Sequence, residues 1–340
     1  MGGDSVLSSS VLCSVFSMTR HQEASIPQRI QVLFLRVFLV IRVVLKTCII
    51  FNPAARGDKA RHFRKHLDDL AAHAALKPTV AAGDARRLAA EAVGEGFELI
   101  VAAGGDGTVN EVLNGIGDVP DAFARVRLGV LPLGTVNVLA YELGIPSNLD
   151  RAWAVLRAGR ERVIDLPQID FHGSNKAVTR LFTQMAGFGW DARACQLVSW
   201  PLKKRIGRFA YVVAAFQAMR ERLPEITVTD GTRSLSGEFI IVGNGRFYAG
   251  GWALCPTAAW DDGLLEVTVF QRSTVGTALR GACGILLNRL HSLGGVQYLR
   301  APRLEFTGAS PAPMQVDGEY AGTTPARCSL RPRALRIVAP

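Results

Sequence analysis

The chain has 340 residues, 49% of them apolar and 20% charged, with 34 Gly and 16 Pro. That length and balance exclude a disordered tail, a collagen-like repeat and a small disulfide-stapled module, and leave a globular protein of one large or two moderate domains. The formal net charge is +10 and only seven of the 39 basic residues are Lys, so the excess is guanidinium, which grips phosphate and carboxylate in a bidentate fork; nucleic acid, an anionic membrane and a phosphorylated substrate all stay open as partners.

The most apolar early segment, 30–45 (IQVLFLRVFLVIRVVL), contains Arg36 and Arg42. A membrane span needs about 20 apolar residues with few charges, so this segment is not read as a transmembrane helix. The polar stretch before it is long and no small-residue cleavage site follows, which argues against a secretory signal. Three readings of 1–45 stay open: a dispensable or mis-started extension, a basic interfacial anchor, and packed structure. Six Cys (13, 48, 195, 255, 283, 328) form no C-x-x-C pair and no Cys/His zinc spacing, which points to reduced thiols in the cytosol.

From Lys46 the pattern becomes regular. TCIIF (47–51) predicts a strand that ends at Asn52-Pro53, with Gly57 in the loop beyond. Phe63, Leu67, Leu70 and Ala74 are spaced as on one helix. A short strand at 78–80, a turn at Gly83-Asp84 and a helix over 85–93 follow. FELIVA (97–102) is a continuous apolar run of the kind found in strands buried on both faces. After a loop at 103–107 come a helix over 108–116, a strand over 128–131, and helices over 136–143 and 149–156. This alternation predicts a parallel sheet covered on both faces, with right-handed crossovers. Beyond Asp165 only 192–198 and 206–219 read as helices. Short alternating strands at 225–229, 235–242, 264–270, 303–306 and 313–316 predict a second domain of antiparallel β structure. The expected organisation is therefore 1–45, 46–165 and 166–340, with the last residues returning to the first domain.

The strongest chemical signal is Ala103-Gly104-Gly105-Asp106-Gly107-Thr108, set between a buried strand and a helix start. Glycines let a ligand approach the backbone, and the amides of the helix start face an anion, so this loop reads as a phosphate cradle. Neither G-x-x-x-x-G-K-[ST] nor the G-x-G-x-x-G spacing is present here. A carboxylate in a phosphate site implies an intervening cation, so Asp106 implies Mg²⁺. The loop Leu131-Pro132-Leu133-Gly134-Thr135-Val136-Asn137 repeats the geometry after the next strand, with Thr135 as a ligand contact or an N-cap. Loops at the carboxyl ends of adjacent strands form the crevice where open α/β sheets bind ligands. His62, His66 and His73 share a predicted helix with Arg61, Arg64 and Lys65 and read as a solvated basic face. Trp200 with Lys203, Lys204, Arg205 and Arg208 suits anionic lipid or plain solubility, and both readings stay open.

Taken in order, these motifs resemble the diacylglycerol kinase catalytic-domain family, whose relatives include sphingosine and ceramide kinases. The resemblance covers about 47–335. It rests on Asn52-Pro53, Thr79 with Gly83-Asp84-Ala85, GGDGTVNEVLNG (104–115), LGTVNVLAYELGIP (133–146), KKRIGRFAY (203–211), DDGLLEV (261–267) and Asp317-Gly318-Glu319. It implies an α/β fold of two domains: an N-terminal parallel-sheet domain like half of an NAD kinase or phosphofructokinase, and a C-terminal β-sandwich, with the active site in the cleft. ATP and Mg²⁺ would be the cofactors, and the γ-phosphoryl group would pass to a lipid hydroxyl, with diacylglycerol the favoured acceptor.

Carried over residue by residue, the resemblance assigns nucleotide contact to Asn52, Pro53, Ala54, Ala55 and Arg56, to Thr79, to Gly104, Gly105, Asp106, Gly107, Thr108, Val109, Asn110 and Glu111, and to Gly134, Thr135 and Asn137. Glu319 would be the general base with Asp317 as its neighbour, and Asp262 with the carbonyl of Trp260 would hold a structural Mg²⁺. The sequence departs from the family at Ala55 and Arg56, where Ser and Gly are common, at Val138 and Tyr141, where Asp and Arg are common, and at Thr257, where a carboxylate is common. Asp317 and Glu319, two apart in an extended segment, would project to one side and raise the proton affinity of the base. The implied partner is a lipid at a membrane surface. Nucleic acid is not expected, a homodimer is left open, and the expected location is cytoplasmic, peripheral to the inner membrane face. The rival readings are a sphingosine- or ceramide-type kinase, a soluble NAD kinase, and a non-catalytic module that binds anionic lipid or nucleic acid.

Overall fold

Short apolar runs separated by amphipathic stretches build the first layer of the protein. In the computed structural model these are β1 (Thr47–Phe51), α1 (Asp58–Lys65), α2 (Leu67–Ala71), β2 (Ala75–Pro78), α3 (Asp84–Gly94), β3 (Leu99–Gly104), α4 (Asp106–Gly117), α5 (Ala122–Arg125), β4 (Arg127–Pro132), α6 (Val138–Glu142) and α7 (Leu149–Ala158). The structure describes residues 45–340 apart from 56, 174–175, 198–213, 215–216, 219–220, 273 and 288. Lys46–Pro340 forms one compact unit. The readings of 1–45, of Trp200 with its basic neighbours, of Arg56 and of most of the helix expected over 206–219 lie outside the described residues.

The strands lie in the order β2-β1-β3-β4, all parallel. Every residue of β3 is buried, as strands with both faces covered require. Two local expectations shift. The single helix expected through Phe63 and Ala74 is broken at His66, whose amide bonds back only three residues, to Phe63 O at 3.0 Å. Phe63 and Leu70 keep their buried places across the break. The second strand ends at Pro78 where it was expected to begin, and Thr79 N donates to Phe51 O at 2.8 Å.

The remaining elements are β5 (Glu161–His172), β6 (Ala177–Leu181), β7 (Met185–Gly189), α8 (Trp190–Leu197), β8 (Ile226–Thr229), β9 (Ser234–Gly237), β10 (Phe239–Gly243), β11 (Phe247–Tyr248), β12 (Trp252–Ala253), β13 (Leu265–Phe270), α9 (Val275–Leu286), β14 (Val296–Ala301), β15 (Arg303–Gly308), β16 (Pro313–Val316), β17 (Glu319–Thr323) and β18 (Ala326–Val338). One sheet runs β14-β13-β10-β7-β16-β17, and facing it are β18, β15, β8 and β9, with β5 and β6 beside β18. Their inner faces share one apolar core, with Ile169, Val228 and Phe306 from one side meeting Phe188, Val267 and Met314 from the other. The rings of Phe188 and Phe306 stack 4.0 Å apart. The single strand expected over 235–242 is two, β9 and β10, which part at Glu238 into opposite sheets of this sandwich.

The two layers are joined by hydrogen bonds between strands. β18 lies antiparallel to β15 and β5 inside the sandwich and then reaches β4, where Ile337 pairs parallel with Leu128. The register shifts between Arg331 and Leu335, and Arg333 takes a left-handed φ of 49°. A ten-stranded sheet therefore continues from the parallel layer into the sandwich.

Candidate active site

Three turns converge at the carboxyl end of the parallel strands. In the first, β3 ends at Gly104 and α4 begins at Asp106, with Gly105 extended between them. A Cβ on Gly104 would stand 2.3 Å from Thr108 Oγ1, so only glycine lets Thr108 fold over the loop. In the second, the amides of Leu133 and Gly134 donate to Gly104 O at 3.0 and 3.2 Å. A Cβ on Gly134 would meet Gly105 Cα at 2.5 Å, so the two loops touch backbone to backbone. The first amides of α4 have no acceptor within the helix, which suits them to an anion.

Asp106 opens α4, but its carboxylate crosses to the second loop. It accepts Asn137 N at 3.0 Å and Val138 N at 2.8 Å, at the start of α6. Burial, and after it the nearby charge of Asp317, raise the proton affinity of the Asp106 carboxyl. Asn137 holds the left-handed position before α6 (φ 56°), and its Nδ2 donates to Gly134 O at 2.7 Å. Its Oδ1 is buried without a hydrogen-bond partner. Thr135 is exposed in the loop and does not cap α6.

The third turn carries Asp317-Gly318-Glu319 and corrects the expected geometry. Asp317 and Gly318, with φ of 46° and 83°, are the two-residue connection between β16 and β17, in which Val316 pairs with Glu319. Two successive positive φ values are those of a type I′ hairpin, so the two carboxylates are not side by side on an extended strand. The Asp317 carboxylate turns inward and accepts Asn110 Nδ2 at 3.0 Å, the amides of Thr183 (2.9 Å), Gln184 (3.0 Å) and Met185 (3.1 Å), and Thr183 Oγ1 at 3.3 Å. It ties α4 to the chain entering β7.

Glu319 lies over the first turn of α4: a Cβ on Gly107 would come within 2.9 Å of its Oε1. Its Oε2 accepts Arg180 Nη2 at 2.5 Å, and Arg180 also donates to Asn110 Oδ1 at 3.1 and 3.3 Å. The ionic partner of Glu319 is therefore Arg180, while the charge of Asp317 is felt at Asp106. Arg180 escaped the sequence reading, as did Asn114, whose side chain bonds both the amide and the carbonyl of Leu181. The only sequence signal for Arg180 was a charged residue within the alternating run AVTRL, a pattern most strands carry on a solvated face.

The remaining assigned positions divide. Asn52 Oδ1 accepts Ala54 N at 2.8 Å, and Arg64 holds the carbonyls of Pro53 and Ala55 at 3.2 and 2.8 Å, so the loop after β1 is exposed but pinned. Gly105 to Thr108 are half-buried. Val109 and Asn110 are buried, and the Asn110 amide is committed to the second lobe, to Leu181 O, Asp317 and Arg180. Glu111 is corrected too. Its two oxygens accept Gly83 N and Ala85 N, both at 3.0 Å, so it caps the start of α3 and sets the turn beside Thr79.

The expected structural metal position at Asp262 and Trp260 does not fit a cation. Asp262 is ion-paired with Arg300 and accepts Leu264 N at 2.9 Å. The Trp260 carbonyl accepts Asp165 N at 2.6 Å, and Thr257 Oγ1 donates to Glu266 at 2.7 Å. The guanidinium of Arg300 already neutralises the only carboxylate in that expected pair.

Residues 46–169 match the diacylglycerol kinase catalytic domain, and residues 184–339 match the YegS C-terminal NAD kinase beta sandwich-like domain. A Pseudomonas aeruginosa (strain UCBPP-PA14) protein named "Probable lipid kinase YegS-like" is 36% identical over 282 residues, which cover 78% of this chain and 84% of that protein. The chain belongs to the diacylglycerol kinase catalytic-domain family. Within the family it is also similar to the "Probable lipid kinase YegS-like" protein of Chromohalobacter salexigens, at 32% identity over 79% of this chain and 84% of that one. The fold is shared with a crystal structure of a diacylglycerol kinase from Bacillus anthracis str. Sterne, with a TM-score of 0.68, 24% identity, and coverage of 87% of this chain and 97% of that one. The boundary between the two matched domains falls between β5 and β7, on the stretch that carries Arg180 and Thr183 to the cleft.

Proposed function

We propose that this protein is an ATP- and Mg²⁺-dependent lipid kinase that transfers the γ-phosphoryl group to a lipid hydroxyl, with diacylglycerol the favoured acceptor and phosphatidic acid the product. The observation that carries this reading is the placement of Glu319 over the first turn of α4 at Gly107, where a carboxylate from the second lobe meets the phosphate-binding loop of the first. In-line transfer sets the attacking hydroxyl opposite the leaving oxygen, so a group that takes the hydroxyl proton and a loop that holds the phosphates must meet across the reacting phosphorus.

The pinned loop from Asn52 to Ala55 and the residue Thr79 would flank the nucleotide, while the first amides of α4 face its phosphates. Asp106 suits a hard cation: it is a half-buried carboxylate whose proton affinity is raised by desolvation and by Asp317, and among the described residues no basic side chain bonds to it. When bound there, Mg²⁺ would neutralise charge on the triphosphate. Glu319 takes the proton from the acceptor hydroxyl as its oxygen bonds to the γ-phosphorus, and the bond to the β–γ bridging oxygen breaks to release ADP. Arg180 orients Glu319 and lies within reach of charge developing on the transferred group.

No helix among the described residues is long and apolar enough to cross a membrane; a lipid acceptor would bring the enzyme to the inner membrane face as a peripheral protein. The test is transfer of label from γ-phosphate-labelled ATP to a panel of hydroxyl-bearing lipids with Mg²⁺ present or chelated. Labelled phosphatidic acid that requires Mg²⁺ is the expected product. Label on no lipid, or on NAD, would overturn the reading.

A further inference from the structure

Helix α9 turns an apolar stripe to solvent. Leu279, Cys283, Leu286 and Leu287 follow the i, i+4, i+7, i+8 spacing of one helical stripe, and all four are exposed. Leu279, Leu286 and Leu287 are 63%, 79% and 68% exposed. Towards the protein, Ile285 packs on the core, Gly281 and Gly284 are buried, and Gly284 lies close against Leu293. Arg272, Arg280 and Arg289 surround the stripe, exposed and without an acidic partner among the described residues.

The stripe continues towards the cleft. α9 packs against β12, and the β11–β12 hairpin packs on α6, the helix whose first amide binds Asp106. On that hairpin Trp252 is 50% exposed, and its turn lies against two more exposed side chains: a Cβ on Gly250 would be 3.8 Å from Val136, and one on Gly251 would be 3.5 Å from the Tyr141 hydroxyl. The other exposed large apolar residues, Val80 and Tyr320, directly follow Thr79 and Glu319. Among the described residues, large exposed apolar side chains are thus confined to α9, its C-terminal flank and segments bordering the site.

We propose that the α9 stripe and the β11–β12 hairpin form the surface by which this protein docks on an anionic phospholipid bilayer. Leucines and an indole enter the interface, while the flanking guanidinium groups meet lipid phosphates. A second copy of the chain would have to bring acidic groups to the three arginines, whereas a bilayer brings phosphates to all of them at once. The docked face opens the cleft towards the membrane, so the inference rests on the lipid-kinase reading for its purpose but not for its test.

The test uses the full-length protein and the variant Leu279→Ser/Leu286→Ser/Leu287→Ser, whose changes touch no core residue; circular dichroism and thermal denaturation should be unchanged. Co-sedimentation is measured with phosphatidylcholine vesicles and with vesicles containing phosphatidylglycerol. Wild type should prefer the anionic vesicles, and the variant should bind them about 100-fold more weakly. Phosphorylation of a monomeric short-chain diacylglycerol should be the same for both proteins, while phosphorylation of vesicle-embedded lipid should fall with binding. Equal vesicle binding by the two proteins overturns the proposal. So does a wild-type dimer that the variant dissociates in sedimentation velocity, since the occupant would then be a second copy. If binding differs but neither protein phosphorylates any lipid, the docking face stands and the kinase reading falls.

Discussion

Asp317 and Glu319 stand two residues apart and do unlike work. The Asp317 carboxylate receives five donors from two lobes, so Asp317→Asn would turn an NH₂ group against backbone amides that need an acceptor. It should destabilise the protein by about 2–4 kcal/mol, visible as a lower Tm. Glu319 is half-exposed and bonded to one guanidinium, so Glu319→Gln should leave Tm within a few degrees of wild type. Lipid phosphorylation at saturating ATP and lipid should nevertheless fall about 10²- to 10⁴-fold, the usual worth of a general base, with ATP affinity retained. Equal rates for wild type and Glu319→Gln, with chemistry rate-limiting, would remove the base assignment.

A second residue sets a pH dependence. Asp191, fully buried in α8, accepts Tyr248 Oη and Gln315 Nε2 at 3.2 Å, and its other oxygen has no partner. Burial pushes its carboxyl up to about 7. Between pH 4 and 7 the folded protein keeps this proton while the unfolded chain has lost it, so stability falls as pH rises through that window, by up to about 1.4 kcal/mol per pH unit. Asp191→Asn, neutral throughout, should flatten the fall of Tm with pH. A parallel decline in both proteins would show that another group carries it.

At the scale of elements, α4 is one part through which the two lobes meet. Its amide start faces the cleft, Asn110 and Asn114 bond to Leu181 and Asp317, and Gly115 lets α3 approach, since a Cβ there would lie 2.1 Å from Arg86 O. The last glycine of GGDGTVNEVLNG is thus a helix-packing residue, while the first ones serve the loop. The contact between loops is equally tight. Gly134→Ala forces the second loop off Gly105, and ATP affinity should fall about tenfold or more, with a stability loss of about 1–3 kcal/mol. Gly144→Ala provides the control: its φ of 73° makes it mildly strained but its surroundings are open, so it should lower Tm slightly with ATP affinity unchanged. If the two alanine variants bind ATP alike, the loop-to-loop contact is not what shapes the nucleotide site.

For the whole molecule, the continuous ten-stranded sheet makes a specific demand. β5 and β18 run through both lobes as one antiparallel pair, so the lobes should unfold together. A protein lacking residues 1–45 should show one calorimetric transition and bind ATP as the full chain does, because every described strand begins at Thr47 or later. Two resolved transitions would mean that the sandwich and the parallel layer are independent folding units. Loss of ATP binding would mean that 1–45 belongs to the nucleotide lobe.

Local patterns were enough to read the parallel layer, the two glycine loops and the family, because β3, α4 and β4 are specified by contiguous apolar runs and by glycines that only a close backbone approach explains. Strand content beyond Asp165 was legible in part, since β8, β13, β15 and β16 alternate regularly. The split at Glu238 was not, because which sheet a strand joins depends on partners far along the chain. The same holds for α9, whose interrupting glycines at 276, 281 and 284 lower helix propensity and which forms against β12 and Leu293. At the site, residue types could nominate Asp106, Asp317 and Glu319 but not divide their labour. Asp317 became a five-donor clamp, Glu111 a cap and Asp262 the partner of Arg300 through groups 26 to 207 positions away, and Arg180 reached Glu319 across 139. Hydrogen-bond partners at such separations are chosen by the closing of the sandwich over the parallel sheet, and no local periodicity records that choice.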